Sequence, residues 1–174
     1  MTVLRSLNKA AGREAEHYRH GSDRPLRPYL GAMGVYGAAV AALAGVGAAT
    51  GRRLPARVAP WDLAVLGVAT HKLSRLISKD TVTAPLRAPF TEYDGPQGEG
   101  ELSERVRTGS GPRHAVGELL TCPFCLAQWV ATGFAAGLVL APRPTRLAAS
   151  TFAMVAISDA LQNVYAALQR AAEG

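Results

Sequence analysis

Cys122 and Cys125 are the two cysteines of a 174-residue chain, and Cys122-Pro123-Phe124-Cys125 sets them three positions apart. Thiols at this spacing admit three roles. They can cycle between dithiol and disulfide. A Cys-Pro-x-Cys knuckle can supply two of the four ligands that zinc wants, with His114, His71 or a second protomer completing the set. They can also be small buried hydrophobes. Pro123 suits the first position of a helix, which puts Cys122 at the N-cap, where free N–H groups and the positive end of the helix dipole favour thiolate. A full thiol relay usually needs a second cysteine pair, which the chain lacks, so the expectation is the structural role.

A second set of reactive side chains interrupts otherwise apolar segments: His71, Arg75, Gln128, Asp159 and Gln162. At about 1.5 Å of rise per residue, Arg75, Asp159, Gln128, Cys125 and Gln162 fall about 18–22 Å from the outer ends of their helices. His71 and Arg75 share a helix face, as do Asp159 and Gln162, and Cys122, Cys125 and Gln128. Charges at that depth need partners, so an Arg75–Asp159 or His71–Asp159 contact is expected. It would either fix helix register or build a site for a proton, ion or substrate.

The segments that position these residues read as membrane helices. The run Leu119–Ala141 holds 23 residues without a charge, about 34 Å as a helix and long enough to cross a bilayer. Three further segments are expected at 29–49, 61–77 and 147–168, the last joined to 119–141 as an antiparallel hairpin by a link with Pro142 and Pro144. Gly37, Ala41, Gly45 and Ala49 recur every fourth residue, and Gly133 and Gly137 repeat the spacing; such small-residue faces let membrane helices approach closely. Residues 1–28 form a basic tail in which Val3, Leu4, Leu7 and Ala11 outline a short amphipathic surface helix, the alternative being a disordered tail. Residues 78–113 form a polar loop with a turn-rich stretch, Asp94 to Gly100, and a short helical pattern from Glu101 to Arg107. Asp80 and Arg87 could clamp that loop to the membrane surface; as a solvated pair they would be worth under about 1 kcal/mol.

Composition fits this layout. Hydrophobic residues make up 48% of the chain, yet mean hydropathy is only +0.08, because apolar blocks alternate with charged ones. The net charge of +6 does not point to nucleic acid: the basic residues border apolar runs and lack interleaved aromatics that would stack bases. The long polar start argues against a cleaved signal peptide. Six Lys or Arg lie in the tail, five between Lys79 and Arg113, and one is Arg170, against five on the opposite side (Arg52, Arg53, Arg57, Arg143 and Arg146). The positive-inside rule therefore places both termini and the long loop in the cytoplasm. Sixteen Arg to three Lys amid abundant Ala suggests a bacterial source of high GC content.

Two stretches carry a resemblance. Thr70 to Ile77 with Lys79 to Arg87, and Gly117 to Cys125 with Gln128-Trp129-Val130, resemble the bacterial membrane family catalogued as domain of unknown function 1360 over roughly residues 60 to 165. The resemblance carries Arg75, Asp80, Pro85, Arg87, Cys122, Cys125 and Trp129 as signature positions. It implies a small multi-pass membrane protein and brings no mechanism.

The sequence thus predicts an all-α bundle of four transmembrane helices in the bacterial plasma membrane, with both ends and the 78–113 loop cytoplasmic. The leading functional expectation is a non-enzymatic interaction or accessory subunit. Its partners would be the lipid bilayer and a second copy or another membrane or cytoplasmic protein, without nucleic acid. No cofactor is expected, zinc being the one candidate. The alternative is a thiol redox or metal-binding protein using Cys122 and Cys125. Transport through the polar layer is a third reading and would need an oligomer.

Overall fold

The computed structural model describes residues 2–19, 26–109 and 111–173. Residues 20–25 of the basic tail and Ser110 of the long loop lie outside the described residues. Among the described residues seven α-helices and one hairpin follow in order: α1 (Thr2–Arg19), α2 (Leu26–Ala49), α3 (Pro60–Lys79), α4 (Ala84–Arg87), β1 (Thr91–Pro96), β2 (Leu102–Val106), α5 (Pro112–Thr121), α6 (Pro123–Leu140) and α7 (Pro142–Glu173), with a 3-10 turn over Thr81–Thr83 before α4.

Helix starts follow proline. Pro60, Pro112, Pro123 and Pro142 open α3, α5, α6 and α7, positions where the missing N–H costs nothing and φ is already set. The run expected as one helix over 119–141 is therefore broken. Leu119 to Thr121 end α5, Cys122 is extended (φ −104, ψ 102), and Pro123 begins α6.

The all-α expectation needs correction. β1 and β2 pair antiparallel, with Glu92 opposite Arg105 and a register shift at Gly95. The stretch from Leu102 to Val106, expected as helical, is a strand whose Leu102, Glu104 and Val106 are half-buried while Arg105 is exposed.

α3 is the centre of the bundle, packing on α7 and α6, while α2 lies against α5 and α6. Directions follow from the contacts. Tyr36 of α2 meets Thr132 of α6 (2.7 Å) and Gln128 (2.8 Å). Further along, Gly47 and Leu54 share a cavity wall with Val139 and Leu140, so α2 and α6 run parallel. Asp62 pairs with Arg146 and Lys72 with Asp159, so α3 and α7 run parallel to each other. α7 turns back from α6 through Ala141; a Cβ on Gly137 would lie 2.5 Å from Thr145 Oγ1 and 3.3 Å from its Cβ. Gly133 has open space at its Cβ position.

The hydrophobic distribution is inverted. Among the described residues the buried apolar side chains are Ala69, Ala115, Leu126, Ala149 and Ala153, with Ser74 and Ser78 buried beside them. Leu30, Met33, Val35, Leu63, Ile157, Leu161 and Val164 are exposed. Two helices, α2 over Pro28–Ala49 and α6 over Pro123–Leu140, are long and apolar enough to cross a membrane. Among the described residues α3 and α7 do not reach that standard, so length and composition give two candidate spans and not four.

Candidate functional site

The end of α3 is built to hold the hairpin. Asp80 turns extended (φ −66, ψ 141) after Lys79 and stops the helix. The carbonyls left open at a helix C-terminus need donors, and side chains supply them. Thr83 Oγ1 donates to Leu76 O, and Arg87 Nη1 donates to Ile77 O at 2.8 Å. Arg87 is wholly buried. It also donates to Thr83 Oγ1 (2.7 Å), to the Asp80 carbonyl (3.0 Å) and, through Nε, to the Glu104 carboxylate of β2. A buried guanidinium so fully engaged bolts β2 to the end of α3.

That bolt positions the hairpin turn. The Thr81 amide donates to Gly100 O (3.0 Å), and Asp80 and Glu101 form a bridge. Gly98 and Gly100 take φ +83 and +76, a region glycine enters without strain. Glu101 is thereby aimed at Arg75, whose Nε and Nη2 reach its two oxygens at 2.9 and 2.5 Å.

Beneath the turn, between α3 and α7, lies a cavity of about 640 Å³ lined by His71, Lys72, Arg75, Asp80, Gln97–Glu101, Asp159, Gln162 and Asn163, among others. Lys72 Nζ lies 2.8 Å from Asp159 and 3.9 Å from Asp80. Gln162 Nε2 contacts Ser158 Oγ at 3.3 Å. Four residues of the expected polar layer, His71, Arg75, Asp159 and Gln162, therefore do meet at one cavity.

The pairing within it differs from expectation. Asp159 takes Lys72, not Arg75 or His71, and Arg75 takes the loop residue Glu101. Gln128 does not line the cavity; it is exposed on α6 and donates to Tyr36 Oη. Asp80 and Arg87 do meet, but through the Asp80 backbone carbonyl, while the Asp80 carboxylate faces Lys72. Sequence reasoning missed Lys72 as the anchor, although it stands three residues before Arg75 on the same side of α3. It also missed Glu101 and Glu104, whose roles depend on long-range loop placement.

The cysteines form a second centre, at the N-terminal end of α6. Cys122 is its N-cap, as Pro123 leads one to expect, and its Sγ accepts the Cys125 N–H at 3.2 Å. The two Sγ atoms are at bonding distance, with Cα atoms 5.3 Å apart. Phe124 between them is 89% exposed. Trp129 packs edge-on against Tyr36 at 5.1 Å, tying α6 to α2 one turn further on. Among the described residues no group of three or more His, Cys, Asp and Glu side chains converges on a common point. A zinc site here would thus need ligands beyond the described residues.

α5, which leads into Cys122, meets the hairpin through one close approach. A Cβ on Gly117 would meet Val106 Cγ1 at 2.7 Å and Phe90 O at 3.1 Å. Arg113 donates to Pro89 O, and Arg107 to Thr91 O and Ala88 O, so arginines saturate the carbonyls of the 88–91 turn.

Comparison with known proteins agrees with this geometry in extent. A curated relative, a sporulation protein of Bacillus subtilis strain 168, is 37% identical over 71 residues, 40% of this chain and 60% of that protein. The match thus spans less than two thirds of the relative's length. No solved structure matches the chain. Residues 65–165, which include the cavity-lining part of α3, the hairpin, both cysteines and Asp159, match the family described as protein of unknown function DUF1360. The chain belongs to the DUF1360 family.

Proposed function

We propose that this chain is a four-crossing protein of the bacterial plasma membrane that serves as an interaction or accessory subunit of a membrane assembly. The observation that carries the four crossings is the parallel course of α2 and α6. If the two most apolar helices both cross and run the same way, the chain between them must cross back. α3 is the helix available, and its 20 residues span about 30 Å, the thickness of a hydrocarbon core. α7 then returns from α6 through a tight link and ends on the side where α2 began.

Solvation supports the same reading. In water, exposed Leu, Ile, Val and Met over an Ala/Ser core would be an unstable arrangement; in lipid it costs little, because close packing of small residues holds the helices together. The polar residues that disqualify α3 by composition face its partners: Ser74 and Ser78 bond back to its own carbonyls, and Lys72 and Arg75 are paired. The hairpin end, with the basic tail, is assigned to the cytoplasm.

An accessory role fits the cavity's chemistry. Both of its permanent cations are committed to carboxylates of the same chain, as in a structural network. Gly37, Ala41, Gly45 and Ala49 lie exposed on α2, whose Tyr36, Leu43 and Gly47 turn towards the bundle; that small-residue face suits a helix of a second copy or another membrane protein. The Bacillus relative's name ties that protein to sporulation, and an accessory role here is compatible with it. Crosslinking in native membranes from introduced cysteines at Ala41 or Gly45, in a cysteine-free background, tests the role. Capture of a second copy or of one defined membrane partner supports it; uncrosslinked monomer throughout counts against it.

A further inference from the structure

We propose that Cys122 and Cys125 form a reversible dithiol–disulfide couple that exchanges with a disulfide-bearing substrate, Cys122 being the attacking sulfur. The Cα separation of 5.3 Å is that of an ordinary disulfide, so closing the pair needs no backbone movement. Cys125 is exposed and Phe124 beside it is 89% exposed. Simple core packing therefore does not account for the pair. Nor does zinc held by the described residues alone, since no third His, Cys, Asp or Glu joins them there.

The two sulfurs are not equivalent. Cys122 caps an 18-residue helix and its sulfur accepts the Cys125 N–H; Pro123 has no N–H to offer, so this contact is the cap. The same N–H and the dipole behind it stabilise a thiolate at Cys122 when the pair is open. Cys125, already inside the helix, lacks that support but is exposed at the surface of the bundle.

The reaction follows. The Cys122 thiolate attacks one sulfur of R–S–S–R′, forming a Cys122–S–S–R mixed disulfide and expelling R′S⁻, which takes up the proton Cys122 had lost. Cys125, deprotonated in turn, attacks the Cys122 sulfur, closes the Cys122–Cys125 bond and expels RS⁻. Two electrons and two protons pass from the protein to the substrate, leaving two thiols and the oxidised pair. With this end of the bundle in the cytoplasm, as proposed above, ambient thiols return the pair to the dithiol. That resting state rests on the topology; the exchange itself does not.

The test uses the full-length protein in detergent, whose orientation in a membrane is then irrelevant. After reduction, peptide mapping of brief alkylation in the wild type should show Cys122 reacting several-fold faster than Cys125 at neutral pH, the difference vanishing as pH rises. Oxidised glutathione should convert the wild type to the internal disulfide without lasting adduct. Cys125→Ser should hold a glutathione adduct on Cys122, and Cys122→Ser should form its adduct several-fold more slowly. Insulin as a parallel protein disulfide separates the sources: oxidation by glutathione disulfide alone assigns a small substrate, and oxidation by insulin alone a protein one. Equal alkylation of the two thiols, stable double adducts on the wild type, or oxidation by neither probe would overturn the proposal.

Discussion

Lys72 Nζ stands 2.8 Å from Asp159 Oδ2 and joins α3 to α7 at the mouth of the polar cavity. Lys72 is largely enclosed and Asp159 is 42% exposed, so the pair lies between the surface and buried limits. Lys72→Met and Asp159→Leu should each cost about 1–2 kcal/mol, and the double variant should recover part of the loss. An Arg75–Asp159 cycle should be near additive, because Arg75 is engaged by Glu101. Thermal unfolding in detergent of the six proteins checks both cycles.

Arg87 sits at zero exposure with four acceptors drawn from α3, its following turn and β2. Arg87→Met should strand Glu104 and the Ile77 carbonyl and destabilise the hairpin by about 3 kcal/mol or more. Arg87→Lys should recover little, since one ammonium cannot serve acceptors set around a planar fork. Hydrogen exchange should rise over 91–106 in both variants and stay unchanged in the middle of α6.

The two glycines of the Gly133-x-x-x-Gly137 pair should behave oppositely. Ala at 137 meets Thr145 side-chain atoms at 2.5–3.3 Å, whereas Ala at 133 meets open space. Gly137→Ala should destabilise the α6–α7 hairpin by about 1–3 kcal/mol, and Gly133→Ala should be neutral or slightly stabilising through helix propensity. Thermal unfolding of the two variants side by side is sufficient.

On α2, Ala41→Leu and Gly45→Leu place bulk on a face that is exposed within one copy. Monomer stability should be unchanged while yield of the crosslinked or co-purified complex falls. Loss of folded monomer would instead place that face inside the bundle.

How much of this was legible in the sequence depended on the range of the forces involved. Pro28–Ala49 of α2 and Pro123–Leu140 of α6 are charge-free runs, and Pro123 alone marked Cys122 as an N-cap; these are local signals. The hairpin was hidden by Glu104. Leu102, Glu104 and Val106 do alternate as a strand should, but an inward acid reads as outward until Arg87, 17 residues away in sequence, is known to neutralise it. The same limit applies to the cavity. Helix periodicity put Arg75 and Asp159 near each other, yet which cation Asp159 takes was decided by Glu101 arriving on a loop. Gln128 was misassigned because Tyr36, on a helix with no sequence tie to α6, draws it away.

The central claim is that α3 crosses the membrane between two parallel apolar helices, and its side-specific consequence is open to one measurement. A reporter active only outside the cytoplasm should be active when inserted beside Arg53 and silent both in the Gln97–Gly98 turn and after Gly174. With α3 lying on the surface instead, the Gln97–Gly98 fusion would share the activity of the Arg53 fusion. That outcome would contradict four crossings and the parallel course of α2 and α6 together.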